Sequence, residues 1–152
     1  MHENMDKNTL LIQLSERGRF WRVDFDDLSR AEQVFRVIWE LEAEVNNGGF
    51  HQYFSNSSGD TAFAVVDALK AVGAHHAARI AADANGVFPR SAPPRDRTQR
   101  QYLLDSLGPE QRALLESLDE EFYRYPDNLT ELLYGYVKRN STDIPAAVDV
   151  GI

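Results

Sequence analysis

Along almost its whole length the chain repeats apolar residues every three or four positions, and almost nowhere every second one, which confines it to packed helices. In "SRAEQVFRVIWELEAEV", Ser29 and Glu32 form a capping box ahead of Val34, Ile38, Leu41 and Val45. Asp60 or Ser58 caps the next helix, with Phe63, Val66, Leu69 and Val72 as its stripe and Gly73 as its end. "HHAARIAADANGVF" predicts an alanine-rich helix ending near Gly86, and the prolines of "PRSAPPRDR" predict a loop. Beyond it come a helix through Leu103, Leu104 and Leu107, one opened by Gly108-Pro109 that buries Leu114, Leu115, Leu118 and Phe122, and one opened by Asn128 and Glu131 that carries Leu132, Leu133, Tyr136 and Val137. A weak helix precedes residue 17, and "FWRVDF" at 20–25 is the sole, brief strand candidate. The expected class is all-α, a single compact domain of about six to seven helices.

At 152 residues and 43% hydrophobic, the chain is long and apolar enough for one core. It has no cysteine, which excludes disulfides and thiolate metal sites. Its longest apolar run near the N-terminus, Leu10 to Ile12, is too short for a signal core or a membrane span, so the expectation is a soluble cytoplasmic protein. The formal charge of -8 argues against direct nucleic-acid binding. That charge is uneven: residues 24–67 and 105–131 are acidic, whereas 79–100 reverse sign through Arg79, Arg90, Arg95, Arg97 and Arg100.

Catalytic signals are thin. The histidines, at 2, 51, 75 and 76, have no zinc-ligand spacing, there is no Gly-x-Ser-x-Gly elbow, and "NNGG" lacks the Walker lysine, so neither metal nor cofactor is expected. His51, Gln52 and Asn56 form one polar constellation in which the imidazole would be a general base. The competing reading is structural. A helix ends near Val45, and Gly48 and Gly49 take the left-handed conformation and turn the chain, Gly48→Val being destabilising for that reason. Phe50, Tyr53 and Phe54 then meet Phe35, Ile38 and Trp39 in the core.

The same stretch carries a family pattern: Glu44, then Asn47, Gly48, Gly49 and Phe50, then Gln52, Tyr53 and Phe54, then Asn56, followed by "LKAVGA" at 69–74 and "LDEEFYRY" at 118–125. Over about residues 25–140 this resembles the DNA-mimic-protein-like domain family, leaving 141–152 as an irregular tail. The resemblance implies an all-α fold. In the characterised branch it also implies a protein that imitates the negative surface of DNA and occupies the DNA-binding site of a transcriptional regulator, and no catalytic residues come with it.

A mimic requires rows of carboxylates. Glu32, Glu40 and Glu44 on one helix and Glu116, Asp119 and Glu120 on another would supply two rows if they share a side, with Asp24, Asp26 and Asp27 extending them. The leading reading is a non-enzymatic acidic protein that blocks a basic DNA-binding protein. Behind it stand an immunity-type or other interaction module using the surface from Phe88 to Pro94, and then an enzyme built on His51.

Overall fold

The computed structural model describes residues 6–152, and among them there is no strand. Eight α-helices follow one another: α1 (Lys7–Arg17), α2 (Arg30–Ser55), α3 (Val65–Val72), α4 (His75–Asn85), α5 (Arg97–Asp105), α6 (Pro109–Tyr123), α7 (Leu129–Arg139) and α8 (Pro145–Val150). Short 3₁₀ turns at Phe25–Asp27, Ser57–Ala64, Pro89–Ser91 and Ser141–Asp143 join them.

Helix α2 is the axis. Its start has the expected reciprocal cap, with the Glu32 N–H donating to Ser29 Oγ at 3.1 Å and the Ser29 N–H donating to Glu32 Oε1 at 3.0 Å. Its inward stripe includes Val34, Phe35, Ile38, Leu41 and Val45, all buried. Around it pack α3, α5, α6, α7 and the Ser57–Ala64 turn, while α1 closes against α7 and α8, and α4 lies between α3 and α6. One apolar cluster runs from Leu11 to Val150, so the described residues form one domain.

Several expectations change. The weak N-terminal helix is a full α1, capped by the Asp6 carboxylate and anchored by buried Leu11 and Leu14. "FWRVDF" forms turns, and Phe20 is buried against Phe35 with 4.6 Å between ring centroids. The region of Ser58 and Asp60 is a 3₁₀ turn, so α3 starts later and presents Val65, Ala68, Leu69 and Val72 inward, leaving Phe63 exposed. Leu114 also faces outward on α6. The tail is ordered rather than irregular: α8 begins on Pro145 and buries Ala147 and Val150 beside Ile144. Six residues give little helical period to read, and the packing of those three side chains supplies what propensity does not.

Candidate functional site

At the asparagine-glycine-glycine stretch α2 breaks into two helical limbs that meet at a corner. Helix runs on both sides, and only Gly48 (φ -158°, ψ 18°) and Gly49 (φ 77°, ψ -179°) leave helical geometry. The left-handed requirement therefore belongs to Gly49 and not to Gly48, whose φ is negative. Gly48 is needed for room, since a Cβ there would lie 2.0 Å from Gln52 Oε1. The two limbs fold toward one another at this corner, close enough for Asn56 to reach Glu44 twelve positions earlier, a separation of about 18 Å along a straight helix. Phe50 packs on Phe122 and Phe54 on Phe88, while Phe35 stacks on Trp39.

A bend strands backbone groups, and polar side chains satisfy them here. Asp119 Oδ1 accepts the Phe50 N–H at 2.7 Å, capping the second limb of α2. The Tyr123 hydroxyl donates to the Val45 carbonyl at the end of the first limb, at 2.9 Å. Glu44 straddles the bend, accepting from Gln52 Nε2 at 2.8 Å and Asn56 Nδ2 at 3.1 Å. Tyr125 completes the arrangement: its hydroxyl donates to Glu42 at 2.9 Å and accepts from Asn46 Nδ2 at 2.6 Å. The two parts of the family pattern, 44–56 and 118–125, are thus opposite halves of one lock between α2 and α6. Asn47 is exposed at the bend.

This lock and the caps consume many of the carboxylates expected on a partner surface. Glu32 is 1% exposed and receives both Nε and Nη2 of Arg19, at 2.8 and 2.7 Å. Burial acts to raise its pKa, but Arg19 and the Ser29 amide hold the carboxylate below its usual range. Glu40 is mostly covered and pairs with Arg36 at 3.1 Å. Glu44 and Asp119 are half-buried in the lock. Burial raises Asp119, Phe50 and His51 oppose the shift, and Glu116 and Glu120 add to it. Only Asp24, Asp26, Asp27, Glu116 and Glu120 are exposed, and Asp26 meets Arg95 at 3.3 Å. The two-row array with α2 does not form, because α2 is covered on most sides and turns its acids into internal contacts.

Of the basic stretch only Arg100 is buried; Arg79, Arg90, Arg95 and Arg97 are exposed, and three of these four are engaged by neighbours. Arg79 pairs with Asp83 and Glu121, Arg95 lies over the Phe63 ring, and Arg97 Nε donates to the Ser55 carbonyl at 3.0 Å. Arg100, 0% exposed, clamps the chain after α2. Its guanidinium donates to the carbonyls of Phe54 (2.6 Å), Asn56 (2.8 Å), Pro94 (2.9 Å) and Arg95 (3.1 Å) and to Asp60 (2.8 Å). Sequence reasoning missed this residue, whose only local signal was an arginine one position inside the turns of an otherwise apolar stripe.

Glu40 makes a pH prediction. Burial, against the pull of Arg36 and with a further push from Asp60, raises its carboxyl to about 7 from 4.5. The unfolded chain therefore loses this proton first, and stability present below about 4.5 is lost as pH rises toward 7, on the order of 2–3 kcal/mol in all. Glu40→Gln should leave stability near pH 5 almost unchanged and raise it at pH 8 by about 1–3 kcal/mol in urea unfolding. A loss at pH 8 would show that the Arg36 pair outweighs the burial of charge.

His51 is exposed beside Arg112, Leu115, Glu116 and Asp119, and Gln52 and Asn56 are spent on Glu44, so the three do not converge on a common point. His2 lies outside the described residues. No group of three or more metal-ligating side chains occurs among the described residues, and no helix there is long and apolar enough to cross a membrane.

Fold and site together define an acidic all-α domain built around a bent central helix, with its shared motif used for the bend and Glu116 and Glu120 exposed on α6. The family model described as DMP19-like protein matches residues 26–140, and the chain belongs to that family of DNA-mimic-type domains. No curated protein and no solved structure matches it.

Proposed function

We propose that this chain is a non-enzymatic, cytoplasmic acidic protein that occupies the DNA-binding surface of a basic DNA-binding protein, such as a transcriptional regulator, and does not itself bind nucleic acid. The observation that carries this reading is the exposed edge of α6. Glu116 and Glu120 stand one turn apart with no cation paired to either among the described residues, on the helix whose inner side locks α2, so the carboxylates sit on a rigid support. Family membership points the same way. Asp24, Asp26 and Asp27 precede the other end of the first limb of α2, about 25 Å away at 1.5 Å per residue, a span of roughly seven phosphates on one strand. The interface is then two separated acidic clusters rather than a continuous double row.

The test is elution from immobilised duplex DNA. Host proteins retained on the resin are challenged with this protein and with the Glu116→Lys/Glu120→Lys variant. The wild type should release a basic DNA-binding protein and the variant should release at least about tenfold less, with an unchanged melting temperature because both side chains are exposed. Arg90→Glu is the control: Arg90 is exposed in the proline loop, and its reversal should leave release intact. Release abolished by Arg90→Glu but not by the α6 reversals would favour an interaction module centred on the proline loop.

A further inference from the structure

A cleft of about 200 Å³ opens between α1, α2 and α7, lined by Asn8, Leu11, Trp39, Glu42, Asn46 and Leu133 among others. Leu11 and Leu133 are buried core residues that form its floor, and the half-buried Trp39 indole, backed by its stack on Phe35, forms a wall. The polar groups gather at one place: the Glu42 carboxylate, with Asn46 joined to it through the Tyr125 hydroxyl.

Glu42 differs from the other sheltered acids. Glu32 has Arg19 and Glu40 has Arg36, whereas Glu42 has only the Tyr125 hydroxyl, and no cation pairs with it among the described residues. The nearby Lys7 is engaged by Glu131 and the Tyr134 ring. Tyr125 holds a left-handed backbone (φ 48°), uncommon for an aromatic residue, while its hydroxyl keeps the carboxylate oriented. A sheltered carboxylate without a counter-charge is costly unless something supplies one. Here it borders an apolar cleft with an aromatic wall, the surroundings that suit a cation on an aliphatic stem.

We propose that this cleft binds a small organic cation, an alkyl ammonium or guanidinium, with its charge on Glu42 and its stem between Trp39 and Leu133. The volume lies below the roughly 300 Å³ at which drug-sized sites begin, which limits the occupant to one such group. Burial already raises the Glu42 carboxyl, so binding weakens as pH falls and the acid takes up its proton. This inference is independent of the acidic clusters proposed to face a DNA-binding protein.

The test is titration of the full chain with agmatine and with N-acetyl-arginine amide, followed through the Trp39 indole N–H and Asn46 side-chain amide resonances. Saturable shifts in the millimolar range or tighter are expected. Tighter binding of agmatine assigns a free amine, and tighter binding of the arginine amide assigns a side chain presented by a partner. Glu42→Gln retains an oxygen for the Tyr125 hydroxyl and so should keep the fold while weakening binding at least about tenfold. Absence of saturation by either probe, equal binding by Glu42→Gln, or equal shifts with uncharged n-butanol would each overturn the assignment.

Discussion

Arg100→Met should be the most damaging single substitution in the chain, lowering unfolding stability by about 3–5 kcal/mol. The guanidinium is wholly buried and holds four backbone carbonyls and the Asp60 carboxylate. Methionine fills much of the same space but removes all five of these donations; the Asn56 carbonyl keeps the Gly59 N–H and Asp60 keeps solvent, and each acceptor left buried and unsatisfied costs about 1–3 kcal/mol before relaxation. Against a total stability of roughly 5–15 kcal/mol, that is a large share. Arg100→Lys is the informative companion. It keeps the positive charge but replaces the planar fork with one ammonium, so it should recover less than half of the loss in urea unfolding. Full recovery would mean that charge alone, and not the multiple carbonyl contacts, secures the segment after α2.

Gly49→Ala should cost about 2–4 kcal/mol. The backbone there, φ 77° with ψ near 180°, is essentially restricted to glycine, and such strain costs about 1–3 kcal/mol. A Cβ would also lie 2.4 Å from Asp119 Oδ2, forcing the carboxylate off the Phe50 N–H. A double-mutant cycle separates the two contributions. With Asp119→Ala in place there is no carboxylate to displace, so adding Gly49→Ala should cost only the backbone strain, and the coupling should exceed 0.5 kcal/mol, above the scatter of independent sites. Additive effects would mean that the Asp119 cap is not part of the lock.

The helical class was legible because burial in helices writes a 3.6-residue period into the sequence, and the capping box at Ser29 and Glu32 marked the start of α2 to the residue. The corner at Gly48 and Gly49 was legible too, since Gly-Gly after a helix signals a break. What sequence could not show was what holds it, because the donors and acceptors come from sixty to eighty positions away, here Asp119, Tyr123 and Tyr125. The carboxylates show the same limit. Glu40 and Glu44 lie one turn apart on α2, as expected, but a central helix surrounded by neighbours has little free face to show. Glu116 and Glu120, on a peripheral helix, do face solvent. The basic stretch is largely on the surface, as charge runs usually are, with Arg100 the exception: it is buried against carbonyls that the fold delivers from the end of α2 and the proline loop.

The central claim, that exposed carboxylates on α6 draw in a DNA-binding protein, is tested most directly by the salt dependence of association with the protein released from the DNA resin. Between roughly 50 and 300 mM salt the association constant should fall about tenfold or more, and the Glu116→Lys/Glu120→Lys variant should bind weakly with a much flatter dependence. An association constant that stays level across that range, with the variant matching the wild type, would contradict charge-driven mimicry and place the interface on an apolar surface instead.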